Sequence, residues 1–224
     1  MKIAIMQPYF LPYIGYFQLI NAVDKFVIYD NIEFTKKGWI NRNRILVNGQ
    51  DVYITLPLKR DSDYLDVRER FLADSWLSDG KSMLNRIAGA YRKAPYFKIV
   101  YSLIEKCILF EQNNLFQFIF NSLSLVNEYL HIQTPLVVSS TISIDHELRA
   151  EKKVMALCQA CHAAEYINPI GGISLYQKDD FQQAGLSLYF LKSNEFVYRQ
   201  FNHDFIPWLS IVDVMMFNST TEIK

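Results

Sequence analysis

Two short apolar runs, separated by a segment of helical length, fill the first thirty residues of the chain. Residues 2–6 (Lys-Ile-Ala-Ile-Met) and 26–30 (Phe-Val-Ile-Tyr-Asp) have the composition of buried strands, and residues 16–24 have the length of a short helix. A helical crossover between two strands implies that they pair in parallel. This opening therefore predicts an α/β domain with a mostly parallel sheet.

The rest of the chain extends this pattern and interrupts it once. Asn48-Gly49 lies between two β-forming runs, and this dipeptide is the strongest short-range signal of a β-hairpin. From about residue 75 to 131 apolar residues recur at helical spacing, and strands then alternate with helices as far as a strand at 186–191. We predict one α/β domain over residues 1–224, with a Rossmann-like sheet, a β-hairpin and a helical insertion.

The composition excludes several classes of partner. The chain has 23 basic and 23 acidic residues, so its net charge does not favour nucleic-acid binding. It has no uninterrupted apolar run of about eighteen residues, the length a membrane span needs, and its N-terminus lacks the pattern of a secretory leader. Three cysteines suit a reducing compartment. We therefore expect a cytoplasmic protein without a membrane span or a nucleic-acid partner.

Polar residues and glycines follow several of the predicted strands. In doubly wound sheets, ligands bind at the carboxyl ends of the strands, which makes Gln7 and the loop after it one wall of a predicted site. Asp30 ends the second strand and is our candidate general base, unless it only ends the strand or caps a helix. Gly171-Gly172 either offers backbone N–H groups to an anion or simply forms a turn. We expect a pocket where the first loop meets these glycines.

A basic cluster precedes the hairpin. Arg42 and Arg44 are two residues apart, so in an extended segment they lie on one face and can hold a diphosphate bidentately. Lys37 adds a third positive charge, and Trp39 offers a ring for stacking. The alternative is a solvated, charged loop beside the hairpin.

The sequence contains one metal-like pattern. Cys158-Gln-Ala-Cys161-His162 matches the c-type haem attachment pattern, but it lies in a helical segment whose apolar face suits a core. We expect these cysteines to be structural, and we predict no metal and no cofactor.

Five segments together carry a family resemblance: Met6–Phe17, Asp24–Asp30, Lys37–Arg44, Tyr166–Tyr176 and Gly185–Leu191. They resemble the WbqC-like protein family, and the likeness covers nearly the whole chain. The first loop also resembles, in layout, that of the HUP nucleotidyltransferases. Tyr13 and Tyr16 stand where those enzymes carry a histidine pair, so adenylyl transfer is not implied.

The resemblance to the WbqC-like family implies a bacterial protein encoded among genes for O-antigen and other surface polysaccharides. It favours a transferase that modifies a nucleotide-linked amino sugar by acyl or aminoacyl transfer. The expected partners are the nucleotide sugar and an acyl or aminoacyl donor or carrier protein. Nucleotidyl transfer on the same scaffold, and a non-catalytic subunit that binds nucleotide sugars, remain alternatives.

Each candidate residue then has an expected role. Asp30 is the catalytic base, Arg42, Arg44 and Lys37 hold the diphosphate, and Trp39 or Tyr13 packs on the sugar. The remaining predicted substrate contacts are Gln7, Asn41, Gly171, Gly172 and Tyr176.

Overall fold

A computed structural model describes residues 1–62, 64–193 and 196–223 of the chain. The chain divides into two compact units. The first comprises residues 1–7, 15–31 and 132–195, and the second comprises residues 8–14, 32–131 and 196–224. That the whole chain acts as a single domain stays a prediction.

Seven strands and eight α-helices lie in the described residues. The strands are β1 (Lys2–Met6), β2 (Lys25–Ile28), β3 (Arg42–Val47), β4 (Gln50–Thr55), β5 (Leu136–Val138), β6 (Glu165–Pro169) and β7 (Ser187–Leu191). The helices are α1 (Ile14–Asn21), α2 (Trp76–Tyr91), α3 (Phe97–Ile108), α4 (Leu115–Tyr129), α5 (Ala150–Ala160), α6 (Lys178–Gln183), α7 (Ile211–Phe217) and α8 (Thr220–Ile223). Short 3-10 helices span Val67–Glu69, Ser139–Thr141 and Ile170–Leu175.

The first unit is built on a five-stranded parallel sheet in the order β5-β2-β1-β6-β7. The chain adds strands outward from β1 through β2 to β5, and then returns to the other side of β1 with β6 and β7. The strand order therefore reverses between β1 and β6, which is the position of the topological switch point in a Rossmann-like sheet. The predicted Rossmann-like α/β fold is confirmed.

Burial explains why β1 takes the central position. Ile3, Ala4 and Ile5 are at most 3% exposed, so both faces of the strand are covered. A parallel strand covered on both faces needs a continuous apolar run rather than an alternating one. Burial of an isoleucine side chain such as Ile3 or Ile5 contributes roughly 1.5–3 kcal/mol.

The second unit contains the predicted hairpin and helical insertion. Strands β3 and β4 pair antiparallel, and the connecting residues Asn48 and Gly49 have φ angles of 51° and 77°. Two consecutive residues with positive φ are typical of a type I′ turn, whose twist suits a two-residue hairpin. The helical insertion predicted at 75–131 contains α2, α3 and α4.

Two boundaries differ from the sequence-based expectation in ways that matter for the site. The strand expected to reach Asp30 ends at Ile28, so Asp30 lies in the loop beyond the sheet edge. The turn expected at Gly171-Gly172 lies within a 3-10 helix instead. None of the helices in the described part of the chain has the length and apolar character needed to cross a membrane.

Candidate functional site

Polar side chains converge at the carboxyl edge of the sheet in the first unit. Strands β2 and β5 are parallel neighbours and end in register, with Ile28 opposite Val138. The residues that follow them therefore meet. Asp30 and Asn31 come after β2, and Ser139 and Ser140 come after β5.

Asp30 is the centre of this cluster. Its Oδ1 accepts hydrogen bonds from Ser139 Oγ at 2.8 Å and from the Ser140 backbone N–H at 2.9 Å. Its Oδ2 accepts from Ser140 Oγ at 2.6 Å. A carboxylate has about four acceptor positions, so these donors leave one for another group. Asp30 is 3% exposed whereas Ser140 is half-buried, so the serine is the more accessible member of the pair.

His146 supports the cluster rather than acting as a free base. Its Nε2 lies 3.0 Å from the carbonyl oxygen of Ile142, which can only accept a hydrogen bond. This contact assigns the proton to Nε2, so that Nδ1 accepts from Asn31 Nδ2 at 2.9 Å. With both ring nitrogens engaged, His146 holds the Asn31 amide in place.

Lys153 lies beside the same loop. Its Nζ donates to the carbonyl oxygen of Asn31 at 3.2 Å and lies 5.8 Å from the centre of the Tyr29 ring, within the range of a cation–π contact. Burial is the main cause that raises the pKa of Tyr29, so this phenol stays protonated at neutral pH. Because its Nζ contacts the Asn31 carbonyl oxygen, Lys153 places a positive charge near the loop that carries Asp30.

The glycine pair after β6 has two different environments. A Cβ added to Gly172 would lie 2.1 Å from Asn168 Nδ2, whereas one added to Gly171 would meet no atom within 4 Å. Asn168 is 5% exposed, and its Oδ1 accepts a hydrogen bond from the Tyr166 hydroxyl at 3.0 Å. Gly172 is therefore required by the close approach of a buried amide.

Gln7 and Tyr176 belong to the same unit. The backbone carbonyl of Gln7, the first residue after β1, accepts from the Tyr16 hydroxyl at 2.9 Å. Tyr176 is half-buried and packs edge-on against Tyr166, with ring centres 5.7 Å apart. Burial is the main cause that raises the pKa of Tyr176. The structure thus places Gln7, Asp30, Gly171, Gly172 and Tyr176 in the first unit.

The second unit carries the predicted basic cluster on one face of the hairpin. Arg42 Nε donates to the carbonyl oxygen of Gly38 at 3.0 Å, and its terminal nitrogen donates to that of Lys37. The Arg44 guanidinium donates to Asp51 at 2.7 Å. Protein partners therefore orient both arginines, and their role in holding a diphosphate stays a prediction.

Aromatic rings accompany these arginines. The Trp39 and Tyr53 rings are stacked, with centres 6.2 Å apart and planes inclined by 24°. The Arg42 guanidinium lies 4.7 Å from the centre of the Tyr53 ring, and that of Arg44 lies 5.6 Å from the Trp39 ring. Tyr13 packs edge-on against Trp208 at 5.7 Å.

The two asparagines of this segment have structural partners. Asn41 Nδ2 donates to the carbonyl oxygen of Leu56 at 2.9 Å, which extends the pairing beyond the hairpin ladder. Asn43 is buried and donates to the carbonyl oxygens of Phe10 and Leu11. Of the predicted contacts, Tyr13, Lys37, Trp39, Asn41, Arg42 and Arg44 lie in the second unit.

Sequence reasoning did not single out six residues that lie in the polar cluster or beside the hairpin arginines. They are Asn31, Ser139, Ser140, Lys153, Tyr53 and Trp208. A usable signal existed for the two serines, because they directly follow an apolar run, as Asp30 does. For Tyr53 the signal was the hairpin register, which places it opposite Arg44. The predicted pocket shared by the first loop and Gly171-Gly172 stays a prediction.

The cysteines of the haem-like pattern lie in the core, and their purely structural role stays a prediction. Cys158 and Cys161 are buried, and burial raises the pKa of Cys158 to about 12, so its thiol stays protonated at neutral pH. Among the residues that the structure describes, no three His, Cys, Asp or Glu side chains are grouped so that they could hold a metal ion.

The Rossmann-like sheet makes this an α/β protein, and the polar cluster at the carboxyl ends of β2 and β5 is its candidate ligand site. The chain matches the model of the WbqC-like protein family over residues 7–224, and it belongs to that family. It is 30% identical over 227 residues to an uncharacterized protein of Mycobacterium tuberculosis, Rv1507c, a match that covers 99% of this chain and 95% of the relative. No solved structure matches the chain.

Proposed function

We propose that this protein is a transferase that modifies a nucleotide-linked amino sugar, by acyl or aminoacyl transfer, in bacterial surface-polysaccharide biosynthesis. The observation that carries the proposal is the Asp30–Ser140 pair at the carboxyl edge of the parallel sheet. Ligands of Rossmann-like folds bind along this edge. The resemblance to the WbqC-like family supports the substrate class.

Asp30 has the chemistry that such a transfer needs. When the amino group of the sugar attacks the acyl carbon of a donor, a new C–N bond forms, the bond to the donor's leaving group breaks, and the nitrogen loses a proton. The remaining acceptor position on the Asp30 carboxylate can receive that proton. A positioned general base typically contributes about 10²- to 10⁴-fold to the rate.

The hairpin supplies the proposed contacts to the nucleotide. Lys37 is exposed, and Arg42 uses only some of its five N–H donors on protein carbonyls, so both can reach a diphosphate. Loss of one charge-assisted contact costs roughly 1.5–3 kcal/mol, so Arg42→Ala or Arg44→Ala should weaken binding about tenfold to a hundredfold. Calorimetry with UDP-, GDP- and dTDP-linked sugars measures this effect, and unchanged affinity in both variants would contradict the diphosphate role.

One observation favours a second candidate function, a non-catalytic subunit that binds nucleotide sugars. The Asp30 carboxylate already accepts three hydrogen bonds from residues 139 and 140, an arrangement that also serves to brace a loop. In that case the sheet edge binds a ligand without transferring a group.

Asp30→Asn separates the two candidates. The substitution keeps the shape and removes the proton acceptor, so we expect nucleotide-sugar binding to persist and turnover to fall by about 10²- to 10⁴-fold. The assay combines UDP- and dTDP-linked amino sugars with acyl donors, and Asp179→Asn, at an exposed acid of α6, is the matched control. Full activity in Asp30→Asn would exclude the residue as base. Binding without turnover for every donor would favour the binding subunit.

A further inference from the structure

The outward face of the hairpin carries a row of exposed rings and cations. In the register of β3 and β4, Arg44 is opposite Tyr53 and Arg42 is opposite Thr55. Because side chains alternate along a strand, Arg42, Arg44 and Tyr53 share one face, and the buried Asn43 lies on the other. We call Trp39, Arg42, Arg44, Tyr53 and Trp208 the platform.

The three aromatic rings of the platform are all exposed. Trp39, Tyr53 and Trp208 are 39%, 45% and 61% exposed. Single exposed apolar residues are ordinary on a protein surface, but contiguous exposed rings mark binding sites. Here Trp39 and Tyr53 stack on each other and each also contacts an arginine, so the rings are held in place before any ligand arrives.

The backbone beside the platform is strained in two places. Lys37 and Trp208 both have φ angles of 62°, in the left-handed region, which costs a residue with a Cβ roughly 1–2 kcal/mol. Contacts with Arg44 hold the Trp208 segment, since the Trp208 carbonyl accepts from Arg44 at 3.4 Å and the Ser210 N–H donates to the Arg44 carbonyl at 2.8 Å. Strain that the surroundings maintain is typical of a functional surface.

We propose that the platform binds a nucleoside diphosphate, with the base stacked on the Trp39–Tyr53 rings and the phosphates on the arginines. Nucleobases of every kind present a flat π face to such rings. Lys37, Arg42 and Arg44 bring three cationic side chains to the hairpin, and of these Arg44 pairs with Asp51, so the charge suits an anion. The buried Nε of Arg44 has no hydrogen-bond partner within the described part of the chain.

This inference deepens the proposed function, because it identifies the nucleotide as the part of the substrate that the hairpin holds. It also changes the expected role of Trp39, which would stack on the base instead of packing on the sugar. Tyr53 and Trp208 become binding residues alongside the predicted ones.

The test compares nucleotides with bare phosphate. Tryptophan fluorescence and calorimetry with UDP, dTDP, GDP and inorganic pyrophosphate should show at least tenfold tighter binding of the nucleoside diphosphates. Tyr53→Ala should weaken nucleotide binding about 5- to 100-fold and pyrophosphate binding much less, because it removes a stacking ring and no charge. Tyr64→Ala is the matched control, since Tyr64 is 84% exposed and lies outside the platform.

Three outcomes would overturn the proposal: no binding of any of the three nucleotides, equal binding of pyrophosphate and nucleotides, or full nucleotide affinity in Tyr53→Ala. Tyr53→Thr, which keeps strand propensity, replaces the alanine variant if that variant does not fold. Two further outcomes distinguish a failure of the proposed transferase function from a failure of the platform. Nucleotide binding without any sugar modification would exclude the transferase and keep the platform. Sugar modification by a Tyr53 variant with normal UDP affinity would exclude the platform and keep the transferase.

Discussion

The two units each contain a buried aspartate surrounded by hydrogen-bond donors, and the donors differ in kind. Asp30, in the first unit, is 3% exposed and is bonded by two serines, one of them half-buried. Asp213, in the second unit, is fully buried. It accepts from the Tyr91 hydroxyl at 2.7 Å, the Tyr198 hydroxyl at 2.5 Å and Gln200 Nε2 at 2.7 Å.

The partners of Asp213 come from separate parts of the second unit. Tyr91 ends α2 and also accepts from the backbone N–H of Leu46 in β3, while Tyr198 and Gln200 precede α7. Burial raises the pKa of Asp213, and the three hydrogen bonds oppose that shift without cancelling it. The carboxylate thus connects a helix, a strand and a loop inside a packed core.

The comparison shows why burial alone does not identify a functional carboxylate. Asp213 is 0% exposed, and the Tyr91 and Tyr198 hydroxyls and the Gln200 amide all donate to its carboxylate. Asp30 lies at a sheet edge, in a loop beyond β2, and its partner Ser140 is accessible. We therefore interpret Asp213 as structural and Asp30 as the candidate for chemistry.

The largest expected effect is the loss of stability in Asp213→Ala. The substitution leaves Tyr91, Tyr198 and Gln200 without their shared acceptor in the core. We expect the free energy of unfolding to fall by about 3–5 kcal/mol, measured by urea denaturation. Glu111→Ala, at an exposed acid of the same unit, should change it by less than about 0.5 kcal/mol. A loss below about 1 kcal/mol would contradict the structural role of Asp213.

Asp30→Ala should cost less, about 1–3 kcal/mol in the same measurement. Of its two serine partners, Ser139 is buried but Ser140 is half-buried, so water can replace part of the hydrogen bonding that Ser140 loses. If Asp30→Ala destabilises the protein as much as Asp213→Ala does, the distinction between the two aspartates fails.

The two glycines after β6 are adjacent in sequence, but Gly172 is packed against Asn168 whereas Gly171 faces open space. Gly172→Ala should lower the free energy of unfolding by about 1–2 kcal/mol, because the new Cβ displaces the Asn168 amide and weakens its bond to Tyr166. Gly171→Ala is the control and should have an effect within about 0.5 kcal/mol, since its Cβ enters open space. Equal effects would show that Asn168 does not set the requirement for glycine.

The smallest effect is a pH dependence of stability. Because the pKa of Asp213 is higher in the folded state than the ordinary value of about 3.9, folding favours its protonated form. The corresponding contribution is fully present below pH 4 and is lost as the pH rises through the folded-state pKa. Unfolding free energies measured from pH 4 to 7 should show this decline in the wild type, and Asp213→Asn should lack it. An unchanged slope in the variant would assign the decline to other groups.

Local sequence determined the elements of the fold. The apolar runs at 2–6 and 26–30 with a helical segment between them predicted parallel pairing, and Asn48-Gly49 predicted the hairpin; the structure contains both. Each signal lies within about thirty residues, and chain stiffness and side-chain alternation act over that range. The distinctive segments also identified the family, since a family match requires residue types in order and not their positions in space.

Tertiary structure alone decided which residues meet. Asp30 contacts Ser139 and Ser140 across more than one hundred residues of sequence, because β5 pairs with β2 in the sheet. Strand order depends on how the whole chain packs, and no local pattern encodes it. The stacking of Trp39 on Tyr53 likewise required the hairpin to place a tyrosine of β4 beside a tryptophan that precedes β3. The sequence by itself thus predicted the elements and the family, and tertiary contacts assembled the polar cluster and the aromatic platform.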